Sequence, residues 1–195
     1  MLVDSHCHLT FPDFKEDLPD IFARAAASDI GLMLTISTKL AEAPLVQSLA
    51  DAHEQIYCTV GVHPHEAETD AGITANQLVD LAQHSKTVGI GETGLDYYYT
   101  SESKDIQQES LRIHIEAARQ TRLPLIIHAR DADDDMARIL TEGPRLRCIC
   151  GGKAHRSIIS GCPRTATPNT RFISLMRSNP RFGLDKTGGI FVGRC

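Results

Sequence analysis

The chain has 195 residues, 42% hydrophobic and 23% charged, with a formal net charge of −5. That composition suits one globular core, excludes a membrane span because no apolar run is long enough, and argues against a protein that grips nucleic acid through a general basic field. The six cysteines are scattered and follow no secretory signal, so reduced thiols and a cytoplasmic location are expected.

Residues 2–8, Leu-Val-Asp-Ser-His-Cys-His, predict a short buried strand that ends in two imidazoles. Side chains alternate across a strand, so His6 and His8 share a face and can converge on one metal ion. Asp4 is expected on the opposite face as a structural hydrogen-bond acceptor. Residues 13–27 repeat apolar side chains at helical spacing. A second strand is predicted over 31–36, a helix over 40–52, and a third strand over 56–62, running into Gly61-Val62-His63-Pro64-His65. A helix over 74–84 precedes a fourth strand over 87–92, which closes in Gly91-Glu92-Thr93-Gly94. A longer helix over 102–120, a fifth strand over 123–128 and a helix over 131–140 follow. The acids in the first turn of that last helix suit its positive end. His53, His84 and His114 fall within helical patterns and read as surface or packing residues.

Strands that alternate with helices argue for right-handed βαβ units and a parallel sheet. An open doubly wound sheet is the rival, but it would carry a glycine-rich phosphate loop after the first strand. Here that position reads Leu9-Thr10-Phe11-Pro12. His6 and His8, His63 and His65, Glu92 and His128 instead fall at the C-terminal ends of different predicted strands, which is where a (β/α) barrel gathers its chemistry.

After Leu140 the alternation fails. Residues 146–150 read as a sixth strand and 172–176 as a strand or short helix. A complete barrel usually needs about 250 residues. Residues 151–195 carry Lys and Arg repeatedly against Asp185 as the lone acid. The expected organisation is a partial barrel over 1–150 and a divergent basic tail over 151–195, disordered or frame-altered. Strand one and strand five or six would be left as unpaired edges. Cys148-x-Cys150 has the spacing of half a zinc site, with no second half in the sequence.

Two histidines on the first strand, a glutamate on the fourth and a histidine on the fifth are donors that suit a borderline divalent ion. A carboxylate can bridge two ions through its two oxygens, and Glu92 is flanked by small residues that let ions and backbone approach. Two such ions about 3.5–4 Å apart clamp the attacking and leaving oxygens of a phosphoester. Tyr97-Tyr98-Tyr99 follow the glutamate motif and could stack on bases. Arg130 could meet a phosphate bidentately or pair with one of the acids at 131 and 133–135.

Four stretches in series, 2–9, 61–65, 91–97 (Gly-Glu-Thr-Gly-Leu-Asp-Tyr) and 124–132 (Pro-Leu-Ile-Ile-His-Ala-Arg-Asp-Ala), resemble the TatD family of metal-dependent hydrolases. The resemblance implies a TIM-barrel-like fold, incomplete here at its C-terminal end. It also implies deoxyribonuclease activity, with DNA as substrate; no membrane association and no stable protein partner are expected. Two divalent cations per subunit are implied, with magnesium, manganese or zinc as candidates. Carried over, His6 and His8 hold the first ion, Glu92 bridges as the catalytic carboxylate, and His128 holds the second. His63, His65, Asp96 and Arg130 are substrate-side or supporting groups.

The chain departs from the family in three places. Thr10 stands where an Asp or Asn is usual. Arg147 occupies the position of a further histidine ligand, and a guanidinium offers no lone pair; His155 lies nearby as a substitute. The late Glu-Thr-Asp motif, whose aspartate is a ligand and general base in the family, has no counterpart. The expectation is therefore weak metal binding and low nuclease turnover. Two alternatives stand beside the nuclease: an amidohydrolase-like enzyme acting on a small amide or ester, and a catalytically impaired truncated copy.

Overall fold

A computed structural model describes residues 1–99 and 101–142, together with the backbone of two short strands further on. Its elements are β1 (Leu2–Cys7), α1 (Leu18–Ala27), β2 (Ile30–Thr35), α2 (Ala43–Ala52), β3 (Ile56–Val60), α3 (Ala75–Leu81), β4 (Thr87–Asp96), α4 (Lys104–Thr121), β5 (Leu125–Arg130), α5 (Asp133–Thr141), β6 (Cys148–Cys150) and β7 (Ile190–Phe191). Every described strand pair is parallel, and the sheet order is β6-β5-β4-β3-β2-β1-β7. The expected alternation is therefore present, and consecutive strands lie side by side as in a barrel wall. Among the described residues, no helix is long and apolar enough to cross a membrane.

Two prolines set helix starts later than periodicity suggested. Pro19 and Pro44 each sit in the first turn of a helix. Neither has an N–H to give to the carbonyl four residues back, so α1 and α2 cannot extend N-terminally. The preceding residues form single 3-10 turns instead, Pro12–Phe14 and Leu40–Glu42. In α3 the start is fixed by a capping box: Thr74 accepts from the Gln77 N–H, and Gln77 reaches back to the Thr74 backbone.

The core forms on both faces of the sheet. Val60, Ile90, Leu125 and Ile127 pack with Leu78, Leu111 and Ile115 of the later helices. Met33, Ile56 and Cys58 pack with Ala25, Val46 and Ala50 of the first two. A third cluster, Val3, Leu34, Ile36, Val88 and Ile126, draws on β1, the β2 end, β4 and β5 without a helical residue. Side chains from strands this far apart meet because the sheet curls, and they fill its concave side as barrel interiors are filled.

Three sequence expectations need correction here. β4 does not end at Glu92 but runs on to Asp96, paired Thr93↔Ile127, Gly94↔His128, Leu95↔Ala129 and Asp96↔Arg130. Pro124 lacks the N–H to join the ladder, so β5 starts later than predicted and carries His128 inside the strand. β1 is not an open edge: Leu2↔Ile190 and Val3↔Phe191 pair it with β7. The expected segment at 172–176 lies outside the described residues.

Glycines let the backbone draw together where the site forms. Between Ile90 and Thr93, β4 has one more residue than β5 opposite it, a bulge that contains Glu92. Gly91 (φ 134°) and Gly94 (φ 150°) adopt conformations that side chains rarely do. A Cβ at Gly61 would overlap the Gly91 backbone, and one at Gly94 would overlap the His128 carbonyl. We expect Gly94→Ala to destabilise the fold by about 1–3 kcal/mol or more, since strain adds to overpacking. Urea denaturation of the two proteins measures this; an unchanged midpoint would contradict the close approach.

Candidate functional site

β1 delivers His6, and His8, two residues on, is the first residue beyond the strand. Their Nε2 atoms are 3.3 Å apart. Asp4, expected on the opposite face, lines the same cavity and accepts the His6 N–H at 3.1 Å. Cys7 between the histidines donates to the Leu34 carbonyl. Burial raises its thiol pKa, so it stays protonated. Phe11 stacks on His8 with ring centroids 4.8 Å apart.

Glu92 is 4% exposed. Its N–H donates to the Ser37 carbonyl at the end of β2, a tie across the strand between that sequence reading missed. Its Oε2 lies 3.3 Å from His6 Nε2 and 4.0 Å from His8 Nε2, while Oε1 lies 3.6 Å from His128 Nδ1. Burial pushes the carboxyl upward, but hydrogen bonds from His128 and His6 outweigh it and hold it well below the usual carboxylate range. The carboxylate thus stays charged and presents one oxygen to each side.

Asp96, at the end of β4, is buried and hydrogen-bonded through both oxygens. Its Oδ2 meets His65 Nε2 at 2.8 Å and His128 Nε2 at 3.0 Å. Its Oδ1 accepts the N–H groups of Tyr98 and Tyr99, and Gln107 bonds both ways to its backbone. Burial opposes its ionisation, yet the Tyr99 N–H and the two imidazoles lower its pKa. His128 is in turn raised: burial acts against its charge, but Glu92 and Asp96 on either side prevail.

His63 Nδ1 accepts the His65 N–H at 3.2 Å, and the His63 ring lies 4.4 Å from that of His128. Burial, then the charge of His128, brings its pKa down to about 3. The neutral ring therefore carries its proton on Nε2. His6, His8, His63, His65, Glu92 and His128 line one cavity of about 950 Å³. Within it, donor atoms of His6, His8 and Glu92 lie within 4.8 Å of one another, as do those of His63, Glu92 and His128.

The structure brings together every described residue singled out from sequence except Arg130, which stands at the rim. Among the described residues no ion pair joins Arg130 to the acids at 131 and 133–135; its guanidinium lies over Tyr98 and Tyr99, 4.0 and 4.4 Å from the ring centroids. Arg147, His155 and Asp185 lie outside the described residues.

A curled parallel β/α sheet with imidazoles and carboxylates converging on its C-terminal rim defines a barrel-type protein with a histidine–carboxylate centre. The chain belongs to the TatD family: the family described as TatD related DNase matches residues 3–162. It is 39% identical over 157 residues to an uncharacterized metal-dependent hydrolase, YcfH, of Escherichia coli (strain K12), covering 79% of this chain and 58% of the relative. It is 35% identical over 156 residues to the 3'-5' ssDNA/RNA exonuclease TatD of Pantoea sp. (strain At-9b), covering 79% and 59%. The crystal structure of YJJV, a TatD homolog from Escherichia coli K12, superposes with a TM-score of 0.67 at 26% identity, over 89% of this chain and 65% of that one. The chain spans about three fifths of the length of these curated relatives.

Behind the site His114, read from sequence as a surface or packing residue, is fully buried and ties α4 to the loop that carries His63. Its Nε2 accepts the Val62 N–H at 3.0 Å and its Nδ1 donates to the Ser110 carbonyl at 2.7 Å. Burial lowers its pKa to about 4. Because the unfolded ring titrates near 6.5, the unfolded chain binds the extra proton first. The stability this ring supports is full above pH 6.5 and is lost as pH falls toward 4. Through this ring the chain should be about 2 kcal/mol less stable at pH 5 than at pH 7. His114→Gln should remove that part of the dependence in paired urea titrations; an identical pH dependence in both proteins would contradict it.

Proposed function

We propose that this chain binds divalent cations through His6, His8, Glu92 and His128 and hydrolyses phosphodiester bonds in DNA. The observation that carries the reading is the two-sided carboxylate of Glu92, with Oε2 toward His6 and His8 and Oε1 toward His128.

The donor set fits such ions. Imidazole and carboxylate together suit zinc, manganese or magnesium according to how many oxygens and waters complete the shell. His128 Nε2 bonds to Asp96, so its Nδ1 is the atom turned to Glu92. A nitrogen lone pair and a carboxylate oxygen facing each other need a cation or a proton between them. An imidazole oriented by a carboxylate on its other nitrogen is also the arrangement that supports a metal ligand. In this reading His6 and His8 hold one ion, His128 the other, and Glu92 both. When bound, the ions would polarise the phosphoryl group and acidify a coordinated water.

The remaining groups act on their own account. His63, neutral and protonated on Nε2, is a hydrogen-bond donor for a phosphoryl oxygen. Asp96 fixes the rings of His65 and His128 and keeps them from rotating away. Phe11 holds His8 by stacking. Asp185 is the lone acid after Gly151, so no family-type general base is apparent in the tail, and turnover by this chain is expected to be low.

Metal binding is therefore the first measurement. Calorimetric titration with manganese should show binding that His6→Ala and Glu92→Gln each weaken by at least about tenfold. Asp96→Asn should weaken it about 10–100-fold by releasing His128. Hydrolysis of labelled single-stranded DNA with magnesium or manganese, however slow, should fall with the same substitutions. Turnover indifferent to both His6→Ala and Glu92→Gln would place the reaction elsewhere.

A further inference from the structure

At the rim of the cavity, Tyr98 and Tyr99 are 59% and 63% exposed, the largest exposures among the big apolar side chains of the described residues. Tyrosine is only intermediate in burial, so what fixes two adjacent exposed rings decides whether they form a defined surface. Three contacts hold these. The Tyr98 and Tyr99 N–H groups are both fixed on Asp96 Oδ1. The rings meet edge to face, with centroids 4.6 Å apart and planes at 89°. The Arg130 guanidinium lies over both.

The platform is joined to the site. The Tyr99 ring lies 5.6 Å from that of His65, and His65 shares Asp96 with His128. One carboxylate therefore sets the positions of the tyrosine backbones and of the rings that line the cavity.

We infer that Tyr98, Tyr99 and Arg130 form a nucleobase-stacking platform that positions a single-stranded nucleic acid, a base lying on the face of one tyrosine ring braced by the other while an adjoining phosphate meets Arg130. The inference rests on the nucleic-acid reading above and names how that substrate is held. Each aromatic face stacks with any base, so the platform is tolerant of sequence. With its carbon 4.0 and 4.4 Å from the two ring centroids, the guanidinium has five N–H donors, enough to meet phosphate oxygens bidentately as well. The net charge of −5 leaves no general basic field over the chain as a whole, so stacking is the natural source of hold at this point. A duplex hides its base faces, so the platform selects unpaired strands.

The chain contains four tyrosines and no tryptophan, so tyrosine emission reports stacking directly. The test uses the full chain in EDTA, where hydrolysis does not enter. A short oligothymidylate and an abasic strand of equal length are titrated, followed by tyrosine quenching and by anisotropy of an end label. The thymidylate should quench emission and bind more tightly than the abasic strand. The double variant Tyr98→Leu/Tyr99→Leu should weaken thymidylate binding about 5- to 100-fold and erase its advantage over the abasic strand. The Tyr98→Phe/Tyr99→Phe variant should retain the advantage in the anisotropy readout. Arg130→Gln should reduce the slope of log affinity against log salt by about 0.7, one phosphate's worth. Equal binding of the two strands, no binding of either, or a leucine variant that binds like the unaltered chain would each overturn the inference. The manganese titrations do not depend on the tyrosines. A base preference without metal binding by His6 and Glu92 would sink the hydrolase reading alone, and the reverse pattern would sink the platform alone.

Discussion

Glu92 is the point from which the rest of the site is set. Its carboxylate is taken out of water and kept ionised by imidazoles on two sides. A buried charge is tolerable when it is paired and hydrogen-bonded, and both conditions depend on backbone placement. The β4 bulge turns the side chain into the cavity, and the Ser37 carbonyl takes its N–H. Gly61 and Gly91 permit the strands to approach closely enough for that bond. Fold and site are therefore not separable here: a methyl group at one of these glycines acts on both.

Asp96 extends the same logic outward. Among the described residues each of its oxygens accepts two hydrogen bonds. A buried carboxylate held by this many hydrogen bonds acts as a fixed point. From this one the His128 ring is presented to Glu92, His65 is drawn to the cavity wall, and the Tyr98 and Tyr99 backbones are pinned at the rim. Stacking of Arg130 over the two rings follows from where they are pinned.

Much of this was legible in the sequence because it follows short periods. His-x-His on a strand predicts a shared face, and strand–helix alternation predicts a parallel sheet, and both are present. The family resemblance rested on four stretches whose side chains do converge. Other features were hidden for physical reasons. Asp4 shares the histidines' cavity, as strict period two required and the reading of it did not. A bulge is invisible to pattern reading, so the sequence predicts a strand end at Glu92, four residues short of Asp96, whose part is read only as substrate-side or supporting. The Ser37–Glu92 tie and the His114–Val62 bond are long-range backbone events without a local signature. Arg130 was weighed against the acids that follow it in sequence, whereas its partners come from the neighbouring strand end. The β1 edge was expected bare because nothing near 190 reads as a convincing strand; two residues suffice to cover it.

The central claim is that one carboxylate presents its two oxygens to separate sets of imidazoles in order to hold divalent cations. The most direct measurement is anomalous diffraction from crystals of the chain grown with manganese. The account predicts anomalous density in contact with Glu92, with His6 and His8 on one side of that carboxylate and His128 on the other. Manganese bound by other residues, or a cavity that stays free of anomalous density at saturating manganese, would contradict it.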